Sequence, residues 1–318
     1  MNHPDHGPTG RELPVVLIIL VLLLLPVIAP AGQENRNRRP GQSGRVAVVS
    51  IEGMGIADVP VNGVVGRIGR ISGSPRVACG RIRRRPLPGS DLVWAESMTG
   101  MFVEDRPEFR LVGHTALWDV ARSNGIPFSV FARIQATVPP AESLTETGQD
   151  SVDLVARDDQ DRIDGALAAW RGRSVDLVIL RVESVILDLS LRSGVRASVR
   201  TLVERCINGF LEGIGPDGTV IFFSSAAPGN VDGLTREQSG KTPMAPGLVL
   251  AAGRGVGGRS WPTIARLADV TPTALFLLGL SPLPRTHGTV LHDLLEPSFL
   301  FHRTVERPKI DQSEGEAR

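Results

Sequence analysis

The chain has little net charge, and almost all of its positive charge comes from arginine. Its 318 residues include 35 basic and 34 acidic side chains, which gives a formal net charge of +1, and its lysines are Lys241 and Lys309 alone. A protein that binds nucleic acid generally has a basic surplus that neutralises phosphates. The composition therefore argues against a nucleic-acid partner. The basic stretch 81–85, RIRRR, is typical of a solvated loop, with a site for a small anionic ligand as the alternative.

Cysteine is scarce, and the two residues present lie far apart. Cys79 and Cys206 form no C-x-x-C or other spacing typical of a metal site. A pair of buried thiols is the expected state, and one disulfide is the alternative. The cysteines thus predict no metal centre.

One long apolar run lies near the N-terminus. Residues 13–31, LPVVLIILVLLLLPVIAPA, are just long enough for a helix to cross a bilayer core of roughly 30 Å. Residues 29–31 have the small-x-small pattern of a signal cleavage site, whereas the arginines within 36–39 argue against a clean export signal. We expect a membrane partner through this segment. Export or outward anchoring is favoured, and a cytoplasmic-side anchor is the alternative.

The composition of the chain changes at a few points, which predict its organisation. Linker and tail are polar or charged and lack the apolar residues of a core. The predicted segments are a polar N-terminal segment (1–12), a transmembrane or signal helix (13–31), a linker (32–44), an α/β domain (45–303) and a disordered tail (304–318).

Strand-like and helix-like patterns alternate through the domain. The predicted strands cover 45–51, 127–132, 175–182, 219–223 and 246–253. Helices are predicted before Gly125, over 195–210 and over 270–280. The last of these has Thr271 as its N-cap, Pro272 at N1 and Gly279 as its stop. The alternation predicts a three-layer α/β fold, with a mostly parallel sheet and helices on both faces.

Five stretches along the domain contain short motifs in a fixed order. They are SIEGMG (50–55), LVWAESMTGMFVED (92–105), TALWDVARSNGIPFSVF (115–131), VPPAESLTETG (138–148) and LADVTPTALFLLGLSPLPRTHGTVLHDLL (267–295). In this order they resemble the alkaline phosphatase superfamily, in particular its type I phosphodiesterase and nucleotide pyrophosphatase branch. The last stretch is the most specific, because that family ends its core with an Asp-x-x-Pro-Thr helix and a Gly-x-x-Leu segment. The resemblance implies an alkaline-phosphatase-like fold.

The resemblance also implies a set of catalytic residues. Members of the family hold two divalent ions, usually Zn²⁺, on Asp and His ligands, and a Ser or Thr hydroxyl attacks phosphorus or sulfur. The first ligand position is occupied here by Glu52, and the nucleophile position falls on Ser90. The alternative for Ser90 is a turn residue after Pro88 and Gly89.

Most of the remaining ligand positions have residues that cannot bind a metal. The family's Asp-x-x-x-His pair falls on Glu183 and Leu187, with Asp188 one step beyond. Its Ser-Asp-His-Gly run corresponds to residues 224–227, SSAA, and its last ligand His falls near 242–244, TPM. The histidines of the domain, none at a ligand position, are His114, His287, His292 and His302. A two-metal site is therefore not expected.

Three readings of the sequence remain open, the last being that the resemblance is accidental. The favoured reading is a membrane-associated or exported domain without a cofactor, in which the hydrolase site has degenerated. The alternative is an active phosphoesterase or sulfatase-type hydrolase with Ser90 as nucleophile. It would hold one divalent cation (Mg²⁺, Mn²⁺ or Zn²⁺) on Glu52, Glu183 and Asp188.

The resemblance also predicts where these side chains lie. Glu52, Ser90, Glu183 and Ser225 each follow or neighbour the end of a predicted strand. We therefore expect them to meet at the carboxyl edge of the sheet. Two carboxylates there would repel one another without a cation, so at least one is expected to have a raised pKa or to turn toward solvent.

Overall fold

The computed structural model describes ten parts of the chain. They are residues 44–53, 77–82, 90–102, 115–132, 148–183, 197–224, 247–257, 260–303, 305–306 and 308. The chain divides into two compact units, Met1–Gly41 and Gln42–Arg318, and all described residues belong to the second. The predicted membrane segment 13–31 lies outside them. Among the described helices, none is both long and apolar enough to span a bilayer.

The described residues form a seven-stranded mixed sheet. Its strands are β1 (Arg45–Ile51), β2 (Val77–Ile82), β3 (Phe128–Phe131), β4 (Leu177–Val182), β5 (Gly218–Ser224), β6 (Gly247–Gly253) and β7 (Ser260–Ala265). Their order in the sheet is β3-β4-β1-β5-β6-β2-β7. Strands β3, β4, β1 and β5 run parallel to one another, and so do β2 and β7. Strand β6 is antiparallel to both of its neighbours, β5 and β2. The predicted mostly parallel sheet is confirmed.

Helices cover both faces of this sheet. They are α1 (Ser90–Thr99), α2 (Leu117–Ser123), α3 (Gly148–Gly172), α4 (Ala197–Glu212), α5 (Val270–Leu278) and α6 (Pro297–His302), with short 3-10 helices at Leu267–Asp269 and His292–Leu294. One hydrophobic core joins the sheet to α1, α2 and α5, and a second joins it to α3 and α4. The fold therefore has the three layers expected from the sequence.

Strand β1 shows why both faces are covered. All seven of its residues are buried. Val46 and Val48 belong to the core with α1, whereas Ala47 and Val49 belong to the core with α3, because successive side chains of a strand point to opposite faces. A strand that buries both faces has a continuous apolar sequence, which is the pattern that predicted it.

The ends of α5 agree only in part with the prediction. Gly279 ends the helix in the left-handed conformation (φ 89°), as expected. The N-cap is Asp269, however, so the assignment of Thr271 is wrong. Thr271 lies inside the helix, where its hydroxyl donates to the carbonyl oxygen of Ser97 at 2.7 Å. A tertiary contact therefore uses the hydroxyl that was assigned to the cap.

Five of these strands and α-helices were not predicted, namely β2, β7, α1, α3 and α6. The signal for α3 was present, since Ile163, Ala166, Leu167 and Trp170 have helical spacing and are all buried against the sheet. The cysteines were predicted correctly. Cys79 and Cys206 are both buried and form no disulfide.

Candidate functional site at the strand edge

The end of β1 brings a carboxylate into the protein interior. Glu52 follows β1 directly and is fully buried. Its backbone N–H donates to the carbonyl oxygen of Val182 at 3.0 Å, which ties the end of β1 to the end of β4. A buried carboxylate is costly unless a cation or hydrogen-bond donors compensate its charge.

Arg181 supplies that cation. Its Nε donates to Oε1 of Glu52 at 2.6 Å, and its Nη2 lies 3.2 Å from Oε1 of Glu183. The guanidinium therefore bridges two carboxylates that follow neighbouring parallel strands. Its side chain is only 3% exposed. The ring of Trp94 in α1 lies against it, with the Arg181 Cζ atom 5.6 Å from the ring centroid.

Helix α3 extends this group of charges. Arg162 Nη2 lies 3.6 Å from Oε2 of Glu183 and forms a direct ion pair with Asp159. Asp159 Oδ2 in turn accepts a hydrogen bond of 2.9 Å from the backbone N–H of Glu183. We call Glu52, Arg181, Glu183, Arg162 and Asp159 the strand-edge network. It contains three carboxylates and two guanidinium groups, and Asp158 also lies 3.5 Å from Arg162 Nη1.

The donor set of this network does not fit the two-metal centre that the resemblance implies. Glu52, at the first ligand position, is paired with Arg181, and a divalent ion on the same oxygen would meet a guanidinium at close range. Residues 187, 226 and 227 are Leu, Ala and Ala, which cannot ligate. In the described parts of the chain, no group of three or more His, Cys, Asp or Glu side chains is arranged to hold a metal ion.

The structure brings together two of the residues proposed from the sequence. Glu52 and Glu183 meet at the carboxyl edge of the sheet, through Arg181. Ser90 is the first residue of α1. Asp188 and Ser225 lie outside the described residues, so the predicted meeting of all these groups stays a prediction.

Arg181, Arg162 and Asp159 were not foreseen. From the sequence, the Glu52 and Glu183 carboxylates were expected to repel one another. In the structure, Arg181 lies between them and forms an ion pair with each. A signal for it existed, since Arg181 is the one charged residue in the apolar strand LVILRV of β4. A charge inside a buried strand needs a partner, and the nearest strand ends provide carboxylates.

Arg81, the first residue of the basic stretch 81–85, lies elsewhere on the sheet. Arg81 is an exposed residue of β2, and β5 and β6 separate that strand from β1. The arginines at 83–85 lie outside the described residues. An anionic ligand there stays a prediction.

The last sequence motif forms a structural junction. Asp269 accepts hydrogen bonds from the backbone N–H groups of Arg266 and Thr289, both at 2.8 Å. The N–H groups of His287 and Gly288 both donate to the carbonyl oxygen of Gly100, at 2.9 and 3.0 Å. The motif thus joins the segment after α1 to the N-terminal end of α5.

His287 takes part in this junction as a hydrogen-bonding residue. Its Nδ1 accepts a hydrogen bond of 3.0 Å from the backbone N–H of Phe102. Its ring is stacked on that of Phe102, with 5.0 Å between the centroids and 6° between the planes. His292 makes an edge contact with Phe276. Packing thus orients both histidine rings, and a hydrogen bond also holds that of His287.

Comparison with known proteins identifies the class of fold. No protein-family model matches the chain, and no curated protein matches it in sequence. A putative sulfatase from Bacteroides thetaiotaomicron is similar in structure, with a TM-score of 0.56 and 10% identity over 80% of this chain and 75% of the other. A protein of the alkaline phosphatase superfamily from Vibrio parahaemolyticus has a TM-score of 0.50 and 12% identity over 80% and 71%. The chain therefore has an alkaline-phosphatase-like fold, as the sequence motifs predicted.

Proposed function

We propose that this chain is a divergent member of the alkaline phosphatase superfamily, related to the type I phosphodiesterase and nucleotide pyrophosphatase branch, that has lost two-metal ester hydrolysis. Its domain, residues 45–303, then has a binding or structural role. The observation that supports this is the buried ion pair between Arg181 and Glu52. The guanidinium of Arg181 is bound to the Glu52 carboxylate, which is the group that a metal ion would have to bind at this position.

The energetics of burial favour the arginine over a metal at this position. Removing one member of a buried ion pair typically costs about 3–5 kcal/mol, because the other charge is left uncompensated. A metal that displaced the Arg181 guanidinium from Glu52 would have to offset this loss and bury a further charge. The nonligating residues at 187, 226 and 227 offer it no compensating ligands.

We propose further that the domain is held at a membrane or exported through residues 13–31, with 32–44 as linker. The apolar length of the segment supports this, and the small-x-small pattern at 29–31 favours the extracytoplasmic side.

The second candidate is a hydrolase that uses a single Mg²⁺, Mn²⁺ or Zn²⁺ ion. The meeting of the Glu52 and Glu183 carboxylates at the strand ends supports it. Glu52, Glu183 and Asp188 would hold the ion, and Ser90 would be the nucleophile. All of these ligands are oxygens, which suit Mg²⁺ or Mn²⁺ better than Zn²⁺.

One experiment distinguishes the two candidates. The full-length chain, purified in detergent, is analysed for bound metal and assayed with an aryl phosphodiester and an aryl sulfate, each with added Mg²⁺, Mn²⁺ or Zn²⁺. The proposal expects no stoichiometric metal and no turnover above that of Ser90→Ala. Metal-dependent turnover that Ser90→Ala abolishes would establish the hydrolase instead.

A further inference from the structure

We infer that the outer side of helix α6, which includes Phe301, lies in the interface of a lipid bilayer. The side chain of Phe301 is 87% exposed. Single exposed apolar side chains are common on protein surfaces, so the meaning of this one depends on where it lies in the fold. The inference deepens the proposed function and rests on the proposed membrane attachment through residues 13–31.

The inner side of α6 is held by the hydrophobic core. Phe299 packs on Phe276 of α5, with 6.3 Å between the ring centroids, and Leu300 packs against the same core. Phe301 follows these two residues and is turned outward, where its ring makes an edge contact with that of His302. The packing of Phe299 and Leu300 therefore fixes the side of α6 on which Phe301 is exposed.

The point where the chain enters the domain lies next to the end of α6. Arg303, the residue after α6, donates from Nη2 to the carbonyl oxygen of Leu277 at 2.6 Å. A Cβ atom on Gly44 would lie 3.0 Å from that same oxygen. Because β1 begins at Arg45, the end of α6 lies at the amino edge of the central strands. Phe301 is two residues from Arg303 and thus close to this entry point.

The length of chain before Gly44 keeps this edge of the domain near a membrane. Residues 32–43 connect it to the apolar segment 13–31. A connection of this length spans about 40 Å when fully extended. Once the apolar segment is in a bilayer, Phe301 stays at a high effective concentration beside the lipid surface. Phenylalanine is one of the side chains that enter the boundary between headgroups and acyl chains.

Charges of both signs surround α6. Burial, together with the nearby charge of Arg254, lowers the pKa of the Arg303 guanidinium. Glu296 is the N-cap of α6, and the backbone N–H of Glu306 donates to the carbonyl oxygen of Gly279 at 2.8 Å. Apolar contact therefore carries the docking, and an uncharged phosphatidylcholine surface should suffice for it.

The test follows a fluorophore on α6 of the full-length chain in phosphatidylcholine nanodiscs. Ser298 is exposed and lies three residues before Phe301, on the same side of the helix, so Ser298→Cys accepts a label while Phe301 is kept. The native Cys79 and Cys206 are buried and stay unlabelled. Nitroxide-labelled phosphatidylcholine quenches a probe that lies in the bilayer, and aqueous iodide quenches one that lies in water.

We expect the lipid nitroxide to quench the probe and iodide to leave it bright. Phe301→Asp, added to the labelled chain, should abolish quenching by the lipid and restore quenching by iodide, because a carboxylate resists transfer out of water. Ile264→Asp is the matched control. Ile264 is also apolar and 69% exposed, but it lies near the carboxyl end of the edge strand β7, so its substitution should change neither signal. Circular dichroism shows whether each variant is folded.

The outcomes separate docking from membrane attachment. If the chain elutes with the nanodiscs but only iodide quenches the probe, the inference is overturned and the attachment stands. Protection from both quenchers would mean that protein covers α6, as in a pair of chains, and would also overturn it. So would quenching by the lipid that Phe301→Asp leaves unchanged. A chain that does not elute with the nanodiscs would refute the attachment and the docking together.

Discussion

The guanidinium of Arg45 lies against the ring of Trp170, with its Cζ atom 4.5 Å from the ring centroid, and its Nη2 donates to the Trp170 carbonyl oxygen at 2.6 Å. Its Nε also donates to Val175 O at 3.2 Å. A residue at the start of β1 therefore satisfies carbonyl groups at and beyond the C-terminal end of α3. This contact fastens α3 to the sheet on the face opposite α1.

We expect Arg45→Ala to lower the free energy of unfolding by about 2–4 kcal/mol, because buried carbonyl groups lose their donor and Trp170 loses a packing partner. Urea unfolding followed by circular dichroism measures the change. Arg122→Ala is the matched control, since Arg122 is largely exposed, with an ion pair to Asp119 and a position over the Phe128 ring as its contacts. Its effect should be within about 0.5 kcal/mol. Equal effects of the two substitutions would contradict this assignment.

The junction at Gly288 is expected to tolerate no side chain. A Cβ atom there would lie 1.8 Å from the carbonyl oxygen of Ala268, which belongs to the backbone and cannot rotate away. Gly288→Ala should therefore cost about 3 kcal/mol or more in unfolding free energy. Gly172→Ala serves as control, because nothing lies within 4 Å of its added Cβ and alanine favours the helix. If both variants have the same melting temperature in a thermal shift assay, the close approach of residue 288 to the Ala268 carbonyl oxygen is wrong.

Both cysteines should be unreactive in the folded protein. Burial raises the pKa of the Cys79 thiol to about 11, and burial together with the nearby Asp159 charge raises the pKa of Cys206 further. The thiolate is the reactive form, so an aromatic disulfide reagent at pH 8 should label neither residue until denaturant is added. Rapid labelling of either cysteine in the native protein would refute this expectation.

The same thiols should make stability fall at alkaline pH. Between the ordinary thiol pKa of 9.0 and about 11 for Cys79, the unfolded chain releases a proton that the folded chain keeps. Unfolding is then favoured as pH rises, by about 1.4 kcal/mol per pH unit for each cysteine. Urea unfolding from pH 8 to 11 measures the slope. Cys79→Ala should reduce it, and an unchanged slope would mean that other groups cause it.

Residues 13–31 should direct the chain to a membrane. The full-length protein is expected in the membrane fraction and released by detergent but not by alkaline carbonate, whereas a chain that begins at residue 42 should be found in the soluble fraction. Mass spectrometry of the N-terminus shows whether the segment is cleaved after residue 31. A soluble full-length product that still contains residues 13–31 would contradict the prediction.

The strands of the parallel half of the sheet were determined by the sequence itself. Strands β1, β4 and β5 are buried on both faces, so each needs a continuous apolar run bounded by turn residues, and that pattern is local. The stop of α5 at Gly279 is equally local, since its left-handed conformation strongly favours glycine. The resemblance of the ordered sequence motifs to the alkaline phosphatase superfamily predicted the alkaline-phosphatase-like fold.

The strand-edge network was decided only by the tertiary structure. Arg181, Glu52 and Arg162 are distant in sequence, and nothing local to any of them indicates its partner. They meet because β1 and β4 pair in parallel register, which places their ends side by side, and because α3 packs across the adjacent face. Thr271 shows the same principle, since its hydroxyl bonds to Ser97 in another helix. The local sequence pattern predicts where the chain can form a strand or a helix. The pairing of buried charges depends instead on which strand ends and helices the fold brings together.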